Sequence, residues 1–317
     1  MRIIDPYGRQ IKNLRVIITT ECNYRCIFCH SEGYYHCVRE NANTISLERI
    51  DRIAQLARRY GIDQIKITGG EPLLRGDIAD VVNVFKRYGF RDVSMVTNGS
   101  LLLGYSQTLR DAGLDRINIS VASLRHERYD YITGTRGLLD RVIRGVKEAV
   151  AVGLKPVKIN VVILKDINDD EWMDFIRFGE ENGVNIQFIE FHTDDSNTDQ
   201  YKRFFKPLDY IERYLRDVAV RMEHREMHAR RRYILDSGVD VEIVRPMNNP
   251  EFCANCTRIR ITPTGWKPCL LRREIIGVSK WGEDGDLREL SKSFLRAIHR
   301  RRPYFMYGSQ NSKAGCV

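Results

Sequence analysis

Cys22, Cys26 and Cys29 stand in the spacing C-x3-C-x2-C, directly after the run Leu14-Arg-Val-Ile-Ile-Thr-Thr20. That run is apolar and β-branched and predicts a strand, which puts the triplet at the strand's C-terminal end. No other stretch narrows so far what the chain can fold around. Closely set thiolates select zinc, copper(I) or iron–sulfur clusters, and cysteines used only for packing do not come as a tight triplet. Three thiolates leave one metal corner without a cysteine. On a four-iron cluster that corner is open to a substrate or cofactor. A Cys3His zinc site completed by His30 is the competing assignment, although zinc sites more often use paired C-x2-C ligands.

A second set, Cys253, Cys256 and Cys269, has the spacing C-x2-C-x12-C. It is so far from the first that two separate sites are expected. Either a zinc ion with a fourth ligand elsewhere or a second cluster with one open iron fits it. Cys37 stands alone and is read as structural or incidental.

Between the two sets the chain keeps a rhythm. Strands are predicted at about 14–20, 64–68, 92–96, 116–121, 155–164 and 185–191. Helices are predicted from Ser46 to Gly61 and at about 77–88, 104–112, 138–151 and 169–182. Residues 31–45 are predicted as loop. Six strand–helix repeats argue for parallel β/α architecture, whose sites lie at the C-terminal ends of the strands. A doubly wound sheet is the alternative, but no G-x-G-x-x-G opens the first helix. After Phe191 the rhythm changes. A loop at 193–206, a short helix at 207–217, strands Met227–Leu235 and Val239–Val244, and a basic helix at 287–301 are expected. The division is 1–225 for the barrel, 226–303 for a smaller module and 304–317 for a mobile tail.

The chain has 317 residues, 43% of them hydrophobic and 29% charged, as suits a soluble globular protein with one barrel-sized domain. No apolar run is long enough for a bilayer and the start is no signal peptide, so a cytoplasmic, reducing location without membrane contact is expected. There, clustered cysteines are more often metal sites than disulfides. The net charge of +9 is spread along the chain, with its densest runs at Arg230–Arg232 and Arg300–Arg302. A solvated basic face or a basic cavity for a polyphosphate accounts for these runs. If Thr257-Arg-Ile-Arg260 is a strand, Arg258 and Arg260 project to one face, as suits phosphate. Gly69-Gly-Glu-Pro72 and Thr97-Asn-Gly99 follow strands and are at least tight turns. Glycines there let backbone approach a ligand, and Glu71 can accept hydrogen bonds.

The first triplet, with Phe28 before its last cysteine, resembles the signature of the radical S-adenosylmethionine (SAM) superfamily. The resemblance implies an incomplete (β/α)6 TIM-type barrel over about residues 5–303, a [4Fe–4S] cluster on Cys22, Cys26 and Cys29, and SAM on the open iron. Gly69, Gly70, Glu71, Ser120, Phe28 and His192 are the implied SAM neighbours. Asp5-x2-Gly-Arg9, Leu14-Arg15, Ile67-Thr-Gly-Gly-Glu-Pro72, Thr97-Asn-Gly99, Val157-Lys158, Phe188-Ile-Glu190 and Cys253-x2-Cys256-Thr-Arg-Ile-Arg260…Cys269 further resemble the GTP 3′,8-cyclases of molybdenum cofactor biosynthesis. The run Cys29-His30-x-Glu32-Gly33 looks more like archaeal members.

That family resemblance implies a second [4Fe–4S] cluster on Cys253, Cys256 and Cys269, which anchors the guanine. It implies GTP contacts from Arg15, Lys66, Thr97, Lys158, Arg258 and Arg260. It also implies radical chemistry joining ribose C3′ to guanine C8, a flavodoxin- or ferredoxin-like electron donor, cyclic pyranopterin monophosphate synthase downstream, and a homodimer as one assembly state. The chain departs from bacterial members at Lys66 and Gln187, where they carry arginine, and at His192, where they carry methionine. It ends Gly315-Cys316-Val317 rather than Gly-Gly. Two rivals remain: a peptide-modifying radical SAM enzyme with one auxiliary cluster, and a non-catalytic zinc or nucleic-acid-binding protein. The cyclase resemblance favours GTP as partner and no nucleic acid.

Overall fold

A computed structural model describes residues 2–30, 44–193, 198–278 and 287–305; the expected loop around Cys37 and the end of the expected tail lie outside the described residues. The first half runs β1 (Asn13–Ile17), α1 (Leu47–Arg59), β2 (Gln64–Thr68), α2 (Ile78–Arg87), β3 (Asp92–Thr97), α3 (Ser106–Asp111), β4 (Arg116–Ser120), α4 (His126–Thr133), α5 (Leu139–Ala151), β5 (Val157–Ile163), α6 (Trp172–Asn182) and β6 (Asn185–Glu190). All five pairings from β1 through β6 are parallel and sequential. This is the run of an incomplete (β/α)6 barrel, as the strand–helix rhythm predicts.

Local chemistry sets the elements. Ser46 caps α1 by accepting from Arg49 N at 3.3 Å. Ile50, Ile53, Ala54, Leu56 and Ala57 then bury one face of that helix against the sheet. Gly61, at φ 73°, takes the left-handed turn after it. The outward positions of β1, β2 and β4, such as Leu14, Val16, Ile65, Ile67, Ile117 and Ile119, are fully or almost fully buried beneath the helices. Each such side chain contributes roughly 1.5–3 kcal/mol.

The second half runs α7 (Thr198–Phe204), α8 (Asp209–Val218), β7 (Arg221–His224), β8 (Arg231–Ile234), β9 (Asp240–Val244), α9 (Pro250–Ala254), β10 (Arg258–Thr262), β11 (Gly265–Lys267), β12 (Ile276–Gly277) and α10 (Leu287–His299). These strands do not form a separate sheet. β9 pairs parallel with β6, and β10 pairs parallel with β1, so the barrel gains one parallel strand at each end. Antiparallel β8–β7 and β11–β12 extend the two edges. α10 returns to α1, where the Tyr60 hydroxyl meets Ser291 Oγ at 2.6 Å and the Phe294 ring lies 5.0 Å from that of Tyr60.

The predicted strand Met227–Leu235 is shorter than expected. His228 and Ala229 take left-handed φ values of 69° and 48°, and the strand begins only at Arg231. The region predicted as loop at 193–206 contains α7.

Candidate active site: two thiol triplets on one cavity

β/α barrels fill their interior with branched apolar side chains, but several inward positions of this one are polar. Lys66 Nζ donates to Asn118 Oδ1 at 2.9 Å. Asn118 Nδ2 donates to Asn160 Oδ1 at 3.1 Å, and Gln187 Nε2 reaches the same oxygen at 3.0 Å. Arg230 then donates to Gln187 Oε1 at 2.8 Å. In-register pairing sets Arg15 beside Lys66 on one side and Arg260 on the other. Above this floor opens a cavity of about 1050 Å³. A single small-molecule site takes roughly 300–1,000 Å³, so there is room for a cofactor and a substrate together.

At one end of the cavity lies the first triplet. Its loop is pinned by α4, an element the sequence reading missed: Arg25 N and Ile27 N donate to Thr133 O and Ile132 O, each at 2.9 Å. The Tyr24 and Tyr129 hydroxyls meet at 2.9 Å. The turn after β3 grips the same loop. Asn98 Nδ2 donates to Asn23 Oδ1 at 2.9 Å, and Asn23 Nδ2 to Ser100 Oγ at 3.0 Å. Gly69 and Gly70 press against the strand exit. Gly70 N donates to Thr19 O at 2.8 Å, and a Cβ on Gly70 would stand 2.1 Å from Glu21 O. These glycines therefore bring the turn against the cysteine loop itself.

Cys22, Cys26, Cys29, Phe28, Gly69, Gly70, Thr97, Ser120 and His192 all line this end of the cavity. The His30 and His192 rings meet beside them, tilted at 43° with centroids 4.6 Å apart. Glu71 does not line the cavity. Fully buried, its carboxylate accepts from Leu73 N at 2.9 Å and from Thr97 Oγ1 and Asn98 N at 2.7 Å. Glu71 organises the turn, with its pKa raised to about 7 by burial against those three donors. Burial likewise pushes the Cys22 and Cys26 thiols up, and neighbouring thiolates add to the shift.

The second triplet faces the same cavity from β10, β11 and α9. Asn249 caps α9 by accepting from Phe252 N at 3.0 Å. Two guanidiniums brace the loop that follows. Arg9 donates to Cys253 O at 2.8 Å and Arg301 to Cys256 O at 2.6 Å, while Asp5 holds both arginines at 2.6 and 3.4 Å. Burial drives the Cys256 thiol upward, but Arg301 and Arg260 outweigh it and hold it below the usual thiol range. Burial lifts Cys253 to about 11. Sequence reading missed Arg9 and Arg301 as supports, because only the fold joins residues so far apart.

Arg15, Arg258 and Arg260 stand on the cavity wall between the triplets. Burial and the crowding of like charges from Arg15 and Arg260 depress the Arg258 pKa, and burial with Arg258 and Arg230 nearby keeps His228 neutral. The His228 ring stacks on Phe252 with centroids 3.7 Å apart. Lys66 and Lys158, two expected substrate contacts, are not on the wall. Lys66 lies in the floor chain, and Lys158 pairs with Glu242, a carboxylate that Arg225 and Arg230 also approach at 2.7 and 3.1 Å. The run Arg230–Arg232 is split by the strand. Arg230 turns inward, whereas Arg231 pairs with Glu212 and Arg232 with Asp240.

None of the six triplet cysteines is in a disulfide. Each triplet turns three thiols onto the cavity. A four-iron cluster takes one thiolate on each of three irons and leaves the fourth open, so both donor sets fit [4Fe–4S] clusters.

Comparison with known proteins agrees. Residues 16–179 match the Radical SAM superfamily, and residues 184–307 match Molybdenum Cofactor Synthesis C. In shape the chain is similar to Streptococcus suis SuiB bound to its precursor peptide SuiA, with a TM-score of 0.65 and 19% identity over 89% of this chain and 64% of that one. The fold and the strand-end triplet define a radical SAM protein, and the chain belongs to that superfamily. It is 41% identical to a probable GTP 3′,8-cyclase of Methanothermobacter thermautotrophicus over 96% of this chain and 99% of that protein. It is also 41% identical to one of Pyrococcus horikoshii, over 97% and 99%. Within the superfamily, the chain belongs to the GTP 3′,8-cyclase family.

Proposed function

We propose that this cavity converts GTP to (8S)-3′,8-cyclo-7,8-dihydroguanosine 5′-triphosphate, the first step of molybdenum cofactor biosynthesis. One observation supports this most: two thiol triplets share one cavity, and the wall between them carries Arg15, Arg258 and Arg260. Guanidiniums gathered on one wall suit the oxygens of a triphosphate, which a neutral or cationic peptide does not supply. When bound, the first cluster and SAM supply one-electron reductive cleavage to a 5′-deoxyadenosyl radical.

The chain's own residues do the rest by positioning. Cys22, Cys26 and Cys29 would hold the first cluster, with Gly69, Gly70, Ser120, Phe28 and His192 around SAM. Cys253, Cys256 and Cys269 would hold the second, whose open corner would take the guanine. The arginine wall receives the triphosphate, and the cavity inside the barrel holds the nucleotide against the reacting groups. Cys29 is the exposed member of its triplet, which gives a flavodoxin- or ferredoxin-like donor access. A cyclic pyranopterin monophosphate synthase takes the product, and a cytoplasmic homodimer completes this reading. Among the described residues no helix is long and apolar enough to cross a membrane.

The test is anaerobic reconstitution followed by reductant, SAM and GTP. The expected outcome is 5′-deoxyadenosine together with the cyclised nucleotide. Cleavage of SAM with GTP left intact, while a peptide is modified, would sink the reading.

A further inference from the structure

Three cations, Lys158, Arg225 and Arg230, gather on the one carboxylate of Glu242, which is fully buried. Burial pushes the Glu242 pKa up, but the three cations outweigh it and hold the group at about 2. The cluster therefore carries an excess of positive charge. Only one of the three cations reaches the cavity. Lys158 and Arg225 meet Glu242 through Oε1 and are not on the wall, whereas Arg230 lies on Oε2 and lines the cavity. Its side chain is 13% exposed. Its Nε is buried with no hydrogen-bond partner among the described residues.

Two further features fix where Arg230 points. Gln187 Oε1 accepts from it at 2.8 Å, and Gln187 is itself held by Asn160 at 3.0 Å. The chain reaches Arg230 through His228 and Ala229, both left-handed although neither is glycine. Such backbone persists where the surroundings over-determine it, and active sites and ligand clamps are among the places where it clusters. Lys158, Arg225 and Arg230 share the single negative charge of Glu242, so the cluster keeps a net positive charge, and Arg230 is the member of it on the cavity wall. A guanidinium in this position suits a bidentate anion, and phosphate is the one the substrate reading supplies.

We propose that Arg230 is a phosphate-binding residue of this cavity, aimed by Gln187 and Glu242 at the polyphosphate end of the nucleotide. The proposal rests on the GTP reading above. Arg230 joins Arg15, Arg258 and Arg260 from the opposite edge of the sheet, so that the triphosphate is gripped from both sides.

The test measures binding of GTP and of GMP to the reconstituted, SAM-loaded, unreduced holoenzyme. Arg230→Met is expected to weaken GTP about 10- to 100-fold, with GMP changed less than about threefold. Arg230→Lys, which keeps the charge without the fork, recovers part of the loss. Gln187→Leu keeps the arginine and removes its guide; it is expected to weaken GTP about 3- to 10-fold and leave GMP alone. Unchanged GTP affinity in Arg230→Met, or equal weakening of GTP and GMP, overturns the assignment. If Arg230→Met fails to load its clusters, Gln187→Leu decides, and unchanged GTP binding there overturns it. Wild-type enzyme that binds no GTP removes the substrate reading, and this assignment with it. GTP bound by wild type beside an unaffected variant removes the assignment alone.

Discussion

Single atoms decide whether the first triplet can form. Gly70 has no positive φ to explain it; what it provides is the missing Cβ, which would stand 2.1 Å from Glu21 O. Because the neighbour is backbone, one residue before Cys22, it cannot swing aside. Gly70→Ala must push the cysteine loop away from the β2 turn and break the 2.7 Å bond from Glu71 N to Glu21 O. We expect a destabilisation of roughly 2–4 kcal/mol and iron content falling toward that of the second cluster alone. Thermal unfolding and iron analysis of the reconstituted protein check this. Unchanged iron and SAM cleavage would show that the turn is not what seats the loop. At this scale the cysteines were legible because their chemistry is local in sequence. The directions of Lys66, Glu71 and Lys158 were not, since Asn118, Thr97 and Glu242, which hold them, lie on other strands.

Among the elements, α8 and β8 are joined by Glu212. It accepts from the Tyr233 hydroxyl at 2.6 Å and from Arg231 and Arg245 at 2.7 Å. Burial raises its pKa, but these three partners outweigh burial and hold it at about 2. A carboxyl depressed in the fold binds fewer protons there than in the unfolded chain. Its stabilisation is therefore present above the ordinary glutamate range and is lost as pH falls toward 2. Glu212→Gln is expected to cost roughly 2–4 kcal/mol at pH 7. The gap from wild type should close between pH of about 5 and 2, as urea unfolding at a series of pH values would show. A gap independent of pH would mean that packing, not charge, joins the two elements. The strands β1–β6 were readable because their β-branched runs alternate with amphipathic helices. The helix α4 was not, because His126–Thr133 carries little apolar periodicity and is held by the cysteine loop it supports. Likewise β11 and β12 are only three and two residues long, and their strand character comes from pairing rather than from local propensity.

Across the whole molecule, the two thiol sites come from chain segments more than two hundred residues apart, and one sheet joins them. β10 carries Arg258 and Arg260 and lies against β1, whose exit leads to Cys22. This neighbouring of β1 and β10 lets one cavity serve both sites, and it was hidden in the sequence, where the segment after residue 225 read as a separate module. The two sites nevertheless have separate supports. The first depends on α4 and the turns after β2 and β3; the second depends on Arg9, Arg301 and Asp5. Replacing Cys253, Cys256 and Cys269 together by alanine should therefore empty the second site and spare the first. Iron should fall from about eight to about four per chain. SAM should still be bound and still be cleaved on reduction, because nothing that holds Cys22, Cys26 and Cys29 has changed. GTP should no longer be cyclised. Its affinity should fall but not vanish, since Arg15, Arg258 and Arg260 remain on the cavity wall. If SAM cleavage disappears with the second cluster, the two sites form one structural unit rather than two supports on a shared sheet. If cyclisation survives, the guanine is not anchored there.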